Sequence, residues 1–465
     1  STSTSVVMKN TTTAFSQTGS SATVGVSTSS NMISLSLAST TSIGNGVMTA
    51  GPSLASGILD DGGHAILRPD GKYLIINGNG TAATNIYDPV ANTFTAGPSL
   101  SSGTVQHGGH SIQRPDGKFL VINANNTATT NIYDPVANSF SAGPSLASSQ
   151  ANYGSHSILR PDGKFLIINA KLNAVTNIYD PVTNAFSAGP SLATSTAYAG
   201  SHSIQRPDGK FLIINGNQTN ATNIYDPLAN TFTVGPTLTG TVAFTGSHSF
   251  QRPDGKFLII NGNFSTDTNI YDPIANTLTA GPSLTNVANH GAYSIQRPDG
   301  KWLVVTAGTG ATTDIYDPVT NTFSAGPNLA SGTAYNGGFA LQRQDGKFLI
   351  VNGNVSSTTN IYDPSFIMSG SWESEDIAIS DLNPSSILNY STNGEGKIEV
   401  AIKTATSSAA LSYSTTVYAT TTAGSKINPV SGATYAKVKV TMTRPVPTNK
   451  QPMVNGKETN TWFGE

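Results

Sequence analysis

Cysteine is absent from this chain of 465 residues, which removes disulfides and thiol chemistry, a trait that suits the cytosol and many microbial surfaces alike. Charge is nearly absent too. Only 11% of residues are charged and the net charge is -2, so there is no basic patch to hold nucleic-acid phosphates. No apolar run approaches the ~20 residues of a spanning helix, and no segment shows helical periodicity. Of the charge present, fourteen positive and fourteen negative groups recur in fixed pairs of turns and cancel. Ser, Thr, Asn and Gly are in surplus while Lys and Glu are few, the composition of an exported surface protein. Asn-Gly pairs such as those at Asn77, Asn215, Asn261 and Asn352 argue against a hyperthermophilic source.

What the chain has in abundance is repetition. Arg-Pro-Asp-Gly-Lys, an apolar run, Thr-Asn-Ile-Tyr-Asp-Pro and Ala-Gly-Pro-Ser-Leu recur seven times with small changes. The opening Arg falls at Arg68, Arg114, Arg160, Arg206, Arg252, Arg297 and Arg343, a spacing of 46 residues with one step of 45. A period of that size marks a stacked or circular architecture. Within one unit, His110 to Gln113 alternates and runs into the Asp116-Gly117 hairpin turn. Phe119 to Ile122 reads as a strand buried on both faces, Thr130 to Tyr133 as a third strand, and Ser139 to Ser141 as a short fourth. Four short antiparallel strands per unit is a propeller blade, so the expected fold is all-β, with seven blades.

The seventh copy breaks after Asp363-Pro364, and Val47-Met48-Thr49, before the first Gly51-Pro52, carries the missing strand, with Met48 where other copies place Phe or Leu. The N-terminal strand is therefore expected to complete the last blade, leaving no open sheet edge. The phrases Gly-Lys-Phe-Leu-Ile-Ile-Asn-Gly-Asn, Thr-Asn-Ile-Tyr-Asp-Pro and Gly-Pro-Ser-Leu resemble the Kelch repeat over residues 46–364, with Phe for its usual Trp and Asn-Gly for its usual Gly-Gly. The resemblance implies a closed propeller that in most family members is a binding scaffold and in a minority, similar to galactose oxidase, an enzyme.

Three parts are expected: a Ser/Thr-rich β segment at 1–43, the propeller at 44–368 and a β-sandwich at 369–465, loosely similar to the jelly-roll modules of surface proteins. The chain begins at Ser1 without Met or a signal-peptide pattern, from which a processed or trimmed N-terminus is expected. Val24 and Val26, then Ile33, Leu35 and Leu37, alternate with small or polar residues as strands do. So polar a segment frays unless tied down, by the C-terminal domain or by a neighbouring subunit.

His64, His110, His156, His202 and His248 share one slot, filled by Tyr293 and Phe339 in the last two units. Sevenfold spacing holds such residues apart, and Tyr and Phe in the slot show that packing or a backbone hydrogen bond suffices, so no metal is expected there. A copper site of the galactose-oxidase kind needs a Cys joined to a Tyr, which this chain lacks. The Arg and Asp of the first turn and the Asp of Tyr-Asp-Pro depart from the sialidase Asp-box and read as turn chemistry, with Arg pairing the Tyr-Asp-Pro Asp across the surface.

The units diverge most in the loop before the His slot. Four residues ahead of it stand Asp60, Gln106, Asn152, Tyr198, Phe244, Asn289 and Tyr335, followed by Asp61, His107, Tyr153, Ala199, Thr245, His290 and Asn336. Aromatic, amide and carboxylate groups on one rim suit sugar rings. The plainer reading, that loops vary because little constrains them, weighs more at this point. Asn79, Asn125, Asn217, Asn263 and Asn354 each open an Asn-x-Ser/Thr triplet at one equivalent loop position, and Asn220, Asn389 and Asn10 add three, all candidate glycosylation sites where the source modifies Asn.

These features lead to an expected function: a secreted or cell-surface structural protein without enzymatic activity or cofactor, a subunit of a filament, fibre or appendage. It would form a homo-oligomer or filament through residues 1–43 and the C-terminal sandwich, where added strands gain main-chain bonds. A carbohydrate-binding adhesin using the varied rim is the alternative, and a propeller hydrolase or lyase the third, disfavoured because no base, nucleophile and orienting group can be assigned. No nucleic acid and no membrane span are expected.

Overall fold

The computed structural model describes residues 45–364 apart from 125, 149, 308, 309 and 354, and short stretches on either side, mostly the backbone of strands. Seven four-stranded antiparallel sheets follow one another in chain order. Blade 1 is His64–Leu67, Tyr73–Ile76, Thr84–Asp88 and Thr93–Ala96, and its copies repeat its register: Phe119 faces Tyr133 and Tyr133 faces Phe140 in blade 2 as Tyr73, Tyr87 and Phe94 do in blade 1. Blade 7 takes its outer strand from the other end of the propeller. Val47–Ala50 pairs with Thr359–Asp363, and Met48 stands opposite Tyr362, the place of Phe94 in blade 1.

The core lies between blades, so each blade needs its neighbours. Ile112, Leu120 and Ile122 of blade 2 pack on Ile167 and Tyr179 of blade 3. Phe339, Leu341 and Leu349 of blade 7 pack on Tyr73, Ile75 and Tyr87 of blade 1, which closes the ring with apolar contact. The buried second strand explains the continuous apolar run: Leu74, Ile75 and Ile76 are fully enclosed. Inside six of the blades two buried amides tie the loops, and in blade 6 Thr306 and Asp314 take their places. Asn85 Nδ2 donates to Asn77 Oδ1 at 2.8 Å, while Asn85 Oδ1 accepts from the backbone of Ala55 and Ser56. This is what the recurrent Asn of Thr-Asn-Ile-Tyr provides.

The first-turn Arg does not pair with the Tyr-Asp-Pro Asp, as the sequence had suggested. Lys72 takes that carboxylate, Asp88, at 3.0 Å, and Asp88 also caps its own turn by accepting from Val90 and Ala91. Arg68 instead holds Asp70 in its own turn and reaches the next blade, donating to Tyr133 Oη at 2.8 Å and Asn138 Oδ1 at 2.5 Å. The physical reason is reach: Lys72 lies on the strand pair that carries Asp88, whereas Arg68 points across the blade boundary. The pattern repeats to Arg343, which bonds Tyr87 and so links blade 7 to blade 1. Arg297 is the exception. Its target blade lacks the turn Asn, and its Nη1 donates to the Asn45 carbonyl at 3.0 Å, beside Tyr362 Oη doing the same.

The chain divides into two compact units, Asn45–Pro364 with Thr448–Glu465, and Ser1–Gly44 with Ser365–Pro447. In the second unit Thr4–Lys9 pairs with Asn389–Asn393 and with Met32–Leu35, and Ser21–Ala22 pairs with Met368–Glu373. The N-terminal strands thus join the C-terminal strands of their own chain, the first of the two tethers the sequence allowed. Tyr435–Arg444 pairs with Lys397–Ala405 on one side and Met368–Glu373 on the other. The face-to-face packing expected of a sandwich lies outside the described residues.

Candidate functional site at the varied mouth

At one mouth of the ring each blade presents the same tight turn. The carbonyl of Asp60 accepts from Gly63 N at 2.9 Å, and Gly62 between them has φ +85°. That is a type II turn, in which the third residue needs φ above zero and the second projects outward. Glycine holds the equivalent place in all seven blades. Neighbouring turns crowd there as well: a Cβ on Gly200 would lie 1.9 Å from the Phe244 carbonyl oxygen. The two variable positions therefore have different fates. The second residue of the turn, Asp61, Tyr153, Ala199, Thr245 or Asn336, lines a cavity of about 130 Å³ to which all seven blades contribute. That is far more than the ~10–15 Å³ one water requires.

His107 departs from this pattern, with φ +30°, the one such residue among the described second positions with positive φ. A non-glycine residue there is strained, a condition that clusters at functional sites. Its ring is turned to its neighbours rather than lining the cavity. His107 Nδ1 donates to Asp61 Oδ2 at 2.9 Å, Tyr153 Oη donates to His107 Nε2 at 3.2 Å, and the two rings stack at 4.0 Å. Tyr198 meets Tyr153 edge-on at 5.5 Å, so blades 1 to 4 form one continuous polar and aromatic arc. Blades 5 to 7 form a second: His290 stacks on Tyr335 at 5.2 Å with Phe244 and Phe264 at its edges. Burial pulls His290 below the usual imidazole range against the opposing effect of Asn336, and burial also raises Asp60.

The other first-position residues do not line the cavity. Asn152 and Asn289 are buried behind the turns, Asn152 donating to Asn126, and Gln106 bridges to the Ala124 backbone. Missed altogether by the sequence reading are Ser155, Ser201 and Ser247, one residue before the His slot in three consecutive blades. Their hydroxyls are buried without a partner in the protein, and Ser201 and Ser247 line the cavity. Their signal was a Gly, Ser or Ala alternation that looked like small-residue noise. The His slot itself is structural: His64, His110, His156, His202 and His248 each donate from Nδ1 to the carbonyl two residues earlier, at 2.9 to 3.0 Å. Burial pulls His64 and His248 down to about 4.

Of the glycosylation candidates, Asn79, Asn217 and Asn263 have φ of 55°, 57° and 58°. Asn is the non-glycine residue that most readily takes that backbone. Asn220 is exposed, Asn389 begins a strand, and Asn10, Asn125 and Asn354 lie outside the described residues.

No family model and no curated protein matches the sequence, so the Kelch resemblance stands on its residues alone. Among solved structures, a fungal alcohol oxidase of the AA5 family in complex with copper shares the fold at TM-score 0.54 and 14% identity, over 86% of this chain and 92% of its own. The extracellular domain of a hybrid two-component system protein of B. thetaiotaomicron aligns at TM-score 0.46 and 15% identity, over 74% of this chain and 44% of its own. The expectation that the chain is not an enzyme is corrected on one finding: a solved structure that shares its fold is an alcohol oxidase, so the fold gives no ground for excluding catalysis. The copper does not carry over. The sequence has no Cys, and no group of three or more His, Cys, Asp or Glu among the described residues could hold a metal ion.

Proposed function

We propose that this chain is an extracellular carbohydrate-binding propeller whose glycan rests on the varied mouth. The observation that supports the reading is the rim. Seven copies that agree almost everywhere else place Asp61 and Tyr153 on the cavity, with His107 and Tyr198 beside them in one arc and Phe244, His290 and Tyr335 in a second. Sugar rings stack on aromatic faces while their hydroxyls bond carboxylates and amides, and a concave apolar site with a few directed polar groups is the form such sites take. A surface setting is supported by the Ser-, Thr- and Asn-rich composition, and no helix among the described residues is long and apolar enough to cross a membrane.

The test is a glycan array with the parent chain and the Tyr198→Ala, Tyr335→Ala double variant. Each ring contributes about 0.5 to 1.5 kcal/mol, so the double variant is expected to bind roughly 5- to 150-fold more weakly. Its melting temperature should be unchanged, because both rings are only partly buried. A parent protein that binds no glycan overturns the reading.

A further inference from the structure

Within residues 45–364 every Lys and Arg except Lys171 belongs to the Arg-x-Asp-x-Lys turns of the opposite mouth, and Lys171 bonds Gln150. The varied mouth carries Asp60 and Asp61 with no Lys or Arg at ion-pair distance among the described residues; Asp267 and Asp314 are occupied by Thr241 and Thr285 in their own loops. Asp61 sits where its charge is felt around the ring. Burial first, then Asp61, push up the Tyr153 phenol to about 12, and the same two causes raise Tyr198; His290, two blades away by the other route, also feels Asp61. The cavity beside Asp61 has independent marks of a polar occupant: Ser201 at 1% exposure and Ser247 at 6% line it, each with a buried hydroxyl that has no partner in the protein.

We propose that this mouth selects an amino sugar with a free, protonated amine, its ammonium against the Asp61 carboxylate, its ring on Tyr153 and its hydroxyls toward Ser201 and Ser247. The inference rests on the carbohydrate reading above and narrows it. An ammonium gains from a carboxylate in a partly desolvated site and from the negative faces of neighbouring aromatic rings. A carboxylated sugar meets repulsion at the same point, and an acetylated amine gives up the charge.

Titration calorimetry of the full chain with the tetramers of glucosamine, N-acetylglucosamine and galacturonate tests this. The glucosamine tetramer should bind at least about tenfold tighter than its acetylated counterpart, galacturonate should not bind, and salt should weaken the first while sparing the second. Asp61→Asn, which keeps an acceptor for His107, should bring the first two affinities together without moving the melting temperature. Equal binding by the parent, preference for the acetylated or acidic tetramer, or a preference that survives Asp61→Asn or high salt overturns the inference and leaves the carbohydrate reading standing. Failure to bind any of the three overturns the inference, and a blank glycan array overturns both.

Discussion

The two mouths of the propeller are made from the same seven units and have opposite characters. At one, the turns hardly change: Arg68, Asp70, Lys72 and Asp88 are repeated around the ring, each Arg fastening its blade to the next. At the other, a fixed glycine turn presents a different side chain in almost every blade. The difference separates two tasks. Contacts between blades need identical geometry at each boundary, so repetition serves them, whereas a ligand has no sevenfold symmetry and requires the copies to differ. The strained His107, the acid beside it and the three serines are all departures from the repeat, and all are at the varied mouth.

If the uniform mouth and the blade boundaries hold the ring, the largest effect comes from opening it. Deleting residues 44–50 should strip the last blade of its outer strand, expose the edge of Thr359–Asp363 and abolish a single cooperative melt, with aggregation on heating. A truncated protein that melts like the parent would show that the closing strand is dispensable. The next effect singles out one of the seven arginines. Arg297 and Asp299 have side chains 1% and 3% exposed, where the other pairs expose about two-fifths of the Asp, and Arg297 anchors the closing strand through Asn45. Arg297→Ala leaves Asp299 buried beside no guanidinium and is expected to cost about 3–5 kcal/mol, against about 1.5–3 kcal/mol for Arg206→Ala. Urea melts of the two variants measure the difference; equal losses would mean that the closure adds nothing to that site.

The blades, their register and the strand that closes the ring were legible because they are written in phrases that recur or break off at a definite place. The backbone role of the His slot was legible because Tyr293 and Phe339 fill it without harm. What the repeat could not show is what crosses from one unit to the next. Arg68 to Tyr133 spans 65 positions, and Asp61, His107 and Tyr153 come from three blades. The division of the rim was hidden for another reason: which variable residue reaches the cavity depends on a turn type, and a glycine in the sequence fits several.

Between the mouths run the buried histidines, and they are expected to make the scaffold less stable in acid. His64 and His248 titrate at about 4 in the fold and near 6.5 when unfolded. Below pH 6.5 the unfolded chain takes up protons that the folded one refuses, so stability is full above that pH and falls as pH drops toward 4. The loss is on the order of 3 kcal/mol for each such residue. His64→Phe, which copies the solution blade 7 uses at Phe339, should flatten that part of the curve. A stability profile for the variant as steep between pH 6.5 and 4 as the parent's would show that this histidine is already charged in the folded chain.

The smallest effect distinguishes backbone from modification on the varied side. Asn263 has φ +58° and opens the triplet with Phe264 and Ser265. If Asn is there for its left-handed backbone, Asn263→Gly should be neutral or slightly stabilising, since glycine takes that conformation without strain, while Asn263→Ala should cost about 1 kcal/mol. If the residue is there to carry a glycan, both substitutions should remove the same mass from the protein and change its solubility alike. Thermal melts of the two variants beside the intact mass of the parent make the comparison. Equal melting of the Gly and Ala variants, with a heavier parent, would move Asn263 from the turn to the modified surface.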